Sequence, residues 1–260
     1  MTGEIGMGTL RRLRRANVVV GLVLLAEVVA IAALSNDFSL PVTASFMEGP
    51  PGSQLPPPET LFSVPIGPAV AVFLALAALD HLLVASPWVV GWYERNLQRG
   101  VNYARWIEYS FSASLMVVLI AMLTGISDVY ALLAIFGVNA TMILFGLLME
   151  RRHAEDGTVD WMPFWFGCIA GAVPWIAIAI AIAGSEIRTG NVPGFVYGIF
   201  VSLFILYNAF AVNMALQYKG VGRWRSYAYG EAGYIVLSLT AKSLLAWQVF
   251  FPVLASGSSG

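Results

Sequence analysis

The sequence predicts an all-α membrane protein, a bundle of seven transmembrane helices with a cytoplasmic N-terminus and an extracellular C-terminus. Three observations carry that reading: an apolar composition, seven apolar runs of spanning length, and basic residues gathered on one side. Of 260 residues, 58% are hydrophobic and 11% charged, against roughly a quarter charged in an ordinary soluble domain. A spanning helix needs about 20 mainly apolar residues, and the stretches 17–35, 65–92, 103–124, 129–149, 161–184, 194–218 and 228–253 meet that requirement.

Turn and breaker residues separate the runs: Pro41, Gly49-Pro50-Pro51-Gly52 and Pro56-Pro57-Pro58, then Gly100, Gly125, Gly157, Gly190 with Pro193, and Gly220 with Gly222. Only the first connection, 36–64, is long. Residues 1–255 therefore read as one transmembrane domain. The terminal 256–260 segment, SGSSG, reads as a linker or tag remnant. No apolar core with a small-residue cleavage site occupies the first ten residues, so the first run is expected to be a retained helix.

Lys and Arg accumulate in short cytoplasmic loops. Arg11, Arg12, Arg14 and Arg15 precede the first span; Arg95, Arg99 and Arg105 lie between the second and third; Arg151 and Arg152 follow the fourth; Lys219, Arg223 and Arg225 lie between the sixth and seventh. Only Arg188 falls on the opposite side. The net charge of −1 conceals this asymmetry. The single cysteine, Cys168, excludes an intramolecular disulfide and is expected as a buried thiol. No nucleic-acid partner is indicated, and the chain is read as a non-enzyme.

An ionisable side chain at membrane depth costs roughly 2.5–3.5 kcal/mol on insertion scales, so each one is a functional candidate. Lys242 is the most anomalous. It lies about 15 residues into the seventh span, in YIVLSLTAKSLLAWQVF, roughly 20 Å deep at 1.5 Å per residue. A structural ion pair, a transporter's lysine and a retinal linkage all remain open. A desolvated lysine amine attacks an aldehyde to form an imine, whose positive charge, when protonated, calls for a carboxylate. Glu108 on the third span is the candidate counterion, with an interfacial pairing to Arg105 as its alternative. Side chains lean toward their helix N-terminus, which aims Lys242 at the depth of Glu108. Ser238 is one turn before Lys242 and Ser112 one turn after Glu108, so both are candidates to fill the gap. Bonding to their own backbone carbonyls is the alternative for each serine.

Glu27, Asp80, His81, Asn139 and Glu231 are the other buried polar residues, expected to form a network on the cytoplasmic half. His81 is suited to accept a proton transiently or, equally, to pack against a neighbour. Arg105 and Glu231 share a depth and are expected to pair structurally. Met116, Met142, Ile143, Trp165, Phe204, Tyr207 and Trp247 are candidate walls for a flat apolar ligand, and each is also accounted for by ordinary packing.

The blocks NYARWIEYSFSASLM (102–116), NATMILFG (139–146), NMALQYK (213–219) and YGEAGYIVLSLTAKSLLAWQ (229–248) resemble the heliorhodopsins, and with the inverted charge pattern the similarity covers all seven spans. The resemblance implies all-trans retinal bound through Lys242 as a Schiff base, Glu108 as counterion, and Ser112 and Ser238 as hydrogen-bonding neighbours. It implies a homodimer with 36–64 folding over the partner, and a slow photocycle in which a proton leaves the Schiff base and is held inside the protein. Most members are thought not to pump ions; sensory and enzyme-regulating roles have been proposed. One departure stands out. Many heliorhodopsins carry His and Gln where this chain has Leu24 and Glu27, which puts a proton site shared between two histidines in doubt.

The leading expectation is a non-pumping photoreceptor in the cell membrane, and the alternative a light-driven proton transporter or channel. Pumping needs carboxylates on both sides of the imine, and the outer half of the third span (117–123) and the seventh span beyond Lys242 up to Trp247 read as apolar, so no outer relay is expected. The loops ERRHAEDG (150–157) and KGVGRWRS (219–226) read as solvated charge, or as the surface for an unknown cytoplasmic partner.

Overall fold

The computed structural model describes residues 4–257, so the part of the terminal linker expectation that falls on 258–260 lies outside the described residues. The last helix runs through Ser256 and Gly257. Among the described residues, seven helices are long and apolar enough to cross a membrane: α1 (Met7–Leu34), α2 (Ile66–Ala85), α4 (Tyr103–Leu123), α5 (Val129–Asp156), α6 (Met162–Thr189), α7 (Gly194–Tyr218) and α8 (Tyr227–Gly257). Their outward faces are apolar, with Val29, Leu133, Ile169, Ile180 and Ile205 exposed. This is the pattern of a bundle whose solvent is lipid, where each backbone must satisfy itself within its own helix.

Local chemistry sets the boundaries. α1 starts ten residues before the expected 17, because the arginine-rich segment continues the helix. α2 stops seven residues before the expected 92: Ser86 precedes Pro87 and is extended, φ −66° and ψ 154°, as the proline ring requires of its predecessor. The chain then forms a short helix, α3 (Val90–Gln98), which buries Tyr93, Asn96 and Leu97. Asn102 caps α4 by accepting from the Arg105 amide, and Asp128 caps α5 by accepting from the Ala131 amide. α5 extends to Asp156 and closes on Gly157 at φ 70°, the left-handed C-terminal position that glycine occupies without a Cβ clash.

The long connection 36–64 holds an element the sequence reading did not anticipate, an antiparallel hairpin of β1 (Ser39–Ala44) and β2 (Glu59–Pro65). Pro41 hid it, although proline is compatible with an edge strand. The hairpin is tied to the α4–α5 turn by the Thr43 amide donating to the Ser127 carbonyl at 2.8 Å. α4 is the central helix: Ser112, Ser114, Met116, Val117 and Ile120 are all buried on it, and it packs against α2, α5, α6 and α7. The functional side chains of the third span are therefore presented to the middle of the bundle.

Candidate chromophore site

Lys242 is 3% exposed, and its Nζ donates to both carboxylate oxygens of Glu108, each at 2.8 Å. The ammonium also sits 4.8 Å from the centre of the Tyr109 ring, whose hydroxyl donates to the Tyr234 carbonyl at 3.1 Å. The amine is thus oriented by a carboxylate and an aromatic face, both from α4. Of the two serines, neither bonds its own backbone. Ser238 meets His81, 3.2 Å from Nε2, and Ser112 is fully buried with its hydroxyl unpartnered among the described residues.

A mostly apolar cavity of about 310 Å³ has Lys242 in its lining, within the range of roughly 300–1,000 Å³ typical of ligand pockets. Met116, Met142, Ile143, Phe204 and Tyr207 line it as expected from sequence. Trp165, Trp247 and Asn139 do not. Trp165 is 61% exposed on the outward face of α6, Trp247 donates to Glu27 at 3.2 Å, and Asn139 donates to Ser114 at 3.0 Å. The sequence reading missed Trp106, Trp175, Phe210, Met214 and Tyr234. Trp175 is the hub of the wall, meeting Phe200, Phe204 and Tyr207 edge-on at 5.7, 5.5 and 5.4 Å between ring centres. A signal existed for the α4 wall: Trp106, Tyr109, Ala113 and Met116 recur at helical spacing beside Glu108. Gly146 carries no side chain where the Trp106 ring rests on α5. Cys168, expected to be buried, is exposed on α6 where it edges this cavity.

Toward the arginine-rich face lies a buried ion cluster. Arg105 pairs with Glu231 and, at 2.6 Å, with Glu150, and its guanidinium lies 3.9 Å above the Tyr234 ring. Glu150, which read as part of a solvated loop, is 1% exposed, because α5 runs past the expected boundary and carries it inside. It accepts from the Asn102 amide at 3.0 Å, from the Tyr227 hydroxyl at 3.0 Å and from the Trp106 indole. Glu231 accepts from Asn102 Nδ2 at 2.7 Å and from the Tyr93 hydroxyl at 3.1 Å. One guanidinium thus faces two carboxylates, the surplus charge being held by neutral donors.

His81 is buried and bonds Asn17 Oδ1 through Nδ1 at 2.6 Å; Asp80 beside it is half-buried. Glu27 is placed differently from expectation. It accepts from the Ser243 hydroxyl at 2.8 Å and from Trp247, so it lies beyond Lys242, on the side away from the arginine cluster. Helix α1 runs in the same sense as α8, and Glu27 is 20 residues along it, which carries the carboxylate past the level of His81.

Two solved structures share this architecture. A light-driven proton pump from Leptosphaeria maculans superposes with a TM-score of 0.65 at 17% identity, covering 100% of both chains. A thermophilic rhodopsin superposes with a TM-score of 0.61 at 12% identity, covering 98% of each. At such identities they establish the seven-helix fold alone. A comparison with curated proteins finds no match. The heliorhodopsin family model matches residues 13–254, nearly the whole chain, and this protein therefore belongs to the heliorhodopsin family of retinal-binding, multi-pass membrane rhodopsins.

Proposed function

We propose that this heliorhodopsin is a light-sensing photoreceptor of the cell membrane, with all-trans retinal on Lys242 as a Schiff base, a slow photocycle and no net ion pumping. The observation that carries it is the Lys242–Glu108 pair, whose lysine lines an aromatic cavity. The residues fit the group: the cavity is mostly apolar, with Lys242 and Asn208 among its few polar lining residues, and the Ser112 hydroxyl, one turn after Glu108, is a buried donor without a partner among the described residues. Retinal supplies visible absorption and a light-driven change of shape. Glu108 holds the positive charge at Nζ, Tyr109 orients it, and the Trp106–Trp175–Tyr207 walls fix a flat chain and exclude water. The basic face is assigned to the cytoplasm, where a signalling partner would dock. The hairpin, whose β2 residues Leu61 and Phe62 are exposed, supports a homodimer through 36–64.

Adding all-trans retinal to the purified protein is expected to produce a visible band, and illumination of vesicles containing it no uncoupler-sensitive pH change. A second reading is favoured by Glu27. With Glu108 on one side of Lys242 and Glu27 on the other, carboxylates flank the site, the arrangement a proton transporter needs. A pH change that uncoupler abolishes and that is lost in Glu27→Gln would select this second reading.

Glu108→Gln is expected to displace the visible band, since the carboxylate stabilises the positive charge where it rests at Nζ more than where excitation moves it. Spectra of the retinal-loaded variant check this; an unchanged band removes Glu108 as counterion.

A further inference from the structure

Asn17, on α1, has all of its amide hydrogen-bonding groups engaged. Its Nδ2 donates to the Leu13 carbonyl at 3.1 Å and to the Tyr93 hydroxyl at 3.2 Å. A backbone carbonyl only accepts, so the amide cannot be turned over without losing that bond. Its Oδ1 is thereby fixed toward His81 Nδ1, 2.6 Å away. An amide oxygen cannot donate, so Nδ1 carries the hydrogen, and the bare Nε2 lone pair faces the Ser238 hydroxyl at 3.2 Å. Ser238 is one helical turn before Lys242 on the same helix.

The same amide interrupts the path beyond the histidine. Tyr93, which accepts from Asn17, donates to Glu231, and through Arg105 and Glu150 the bonds continue to Tyr227. Tyr227 lines a cavity of about 450 Å³ on the arginine-rich face, together with Gln98, His153 and Arg225. The hydrogen bonds are therefore continuous from Ser238 to the surface, but proton transfer along them is not. A proton passes along a hydroxyl, an imidazole or a carboxyl by arriving at one lone pair while another hydrogen departs. An Asn side chain receives at oxygen and donates from nitrogen, and doing both would require its imidic acid form.

We propose that Asn17 is a positioning residue with two effects: it sets His81 as the Nδ1–H tautomer whose Nε2 takes up a proton through Ser238, and it stops that proton at His81. This rests on the photoreceptor reading for the source of the proton, Lys242 Nζ. In the step, the Nζ–H bond breaks as a bond to Ser238 Oγ forms, and the Ser238 O–H bond breaks as an Nε2–H bond forms on His81. The products are a neutral nitrogen on Lys242, an imidazolium at His81, and Glu108 still ionised. With its exit closed at Asn17, the proton returns by the same route, and no net transfer results.

The chain has only two histidines, so ¹⁵N-histidine spectra of His153→Gln protein report His81 alone. In the dark and without retinal, His81 is expected to show a protonated Nδ1 and an unprotonated Nε2. Asn17→Leu is expected to lose this single tautomer, whereas Asn17→Asp, which still accepts from Nδ1, retains it. Beyond Tyr93 the next group able to take a proton is the Glu231 carboxylate, because the Arg105 guanidinium that follows has no lone pair to receive one. In light-minus-dark infrared spectra of retinal-loaded protein, Asn17→Asp is therefore expected to show transient protonation of a carboxylate that Glu231→Gln removes, and the wild type none. An Nε2–H tautomer in the wild type, or a tautomer unchanged in Asn17→Leu, overturns the positioning role; equal Glu231 protonation signals in wild type and Asn17→Asp overturn the block. Absence of a visible band would instead count against the photoreceptor reading and leave the tautomer result standing.

Discussion

Lys242→Ala abolishes the visible band of the retinal-treated protein and, separately, destabilises the fold. Both effects follow from one pair. The lysine is the only amine within the spans, and its Nζ holds both oxygens of Glu108 at 2.8 Å in a site where the two side chains are 4% and 7% exposed. Removing the lysine leaves a largely buried carboxylate without its cation, a loss of about 3–5 kcal/mol for a broken buried pair. The double variant Lys242→Ala/Glu108→Gln separates the effects, since it restores much of the stability without restoring colour. Absorption spectra after retinal addition and thermal unfolding in detergent give the two readouts. A visible band surviving in Lys242→Ala would place the linkage elsewhere.

Arg105→Gln produces the largest loss of stability expected from a residue outside the cavity. Arg105, Glu150 and Glu231 are 4%, 1% and 2% exposed, and among the described residues the guanidinium is the only cation paired with the two carboxylates. Its removal leaves two buried negative charges facing each other and strips the cation from the Tyr234 face, so a cost of at least about 3–5 kcal/mol is expected. Glu150→Gln leaves Arg105 paired with Glu231 and keeps an acceptor for Tyr227, so its cost is expected to be clearly smaller. Unfolding midpoints of the two variants in the same detergent test the ranking. Equal losses would mean that the hydrogen bonds to Glu150, rather than the charge balance, dominate the cluster.

The spans were legible because hydrocarbon imposes one requirement on every spanning segment, a run of apolar residues long enough to cross, and that requirement is written locally. Lys242 and Glu108 were legible for the complementary reason: a charge in such a run has a high cost, so its presence stands out in the sequence alone. The cavity wall was less accessible. Met116 and Tyr207 were named and Trp106 and Trp175 were not, although all four line the cavity, because apolar side chains cost nothing on any face of a membrane helix. For the same reason Trp165 and Trp175, ten residues apart on α6, could not be told apart until rotation of the helix put one in lipid and the other in the wall.

The seven spans, the basic face, the lysine and carboxylate at membrane depth, and the family are all written in the order of residues. What surrounds them comes from packing. It brought Glu150 inward to complete the Arg105 cluster, set Glu27 against Ser243 beyond Lys242, and joined Asn17, Tyr93 and Glu231 from three helices. The division has one physical cause. Membrane insertion acts on each helix separately and is encoded along the chain, whereas hydrogen bonds between helices depend on tilt, rotation and register, which exist only once the helices have packed.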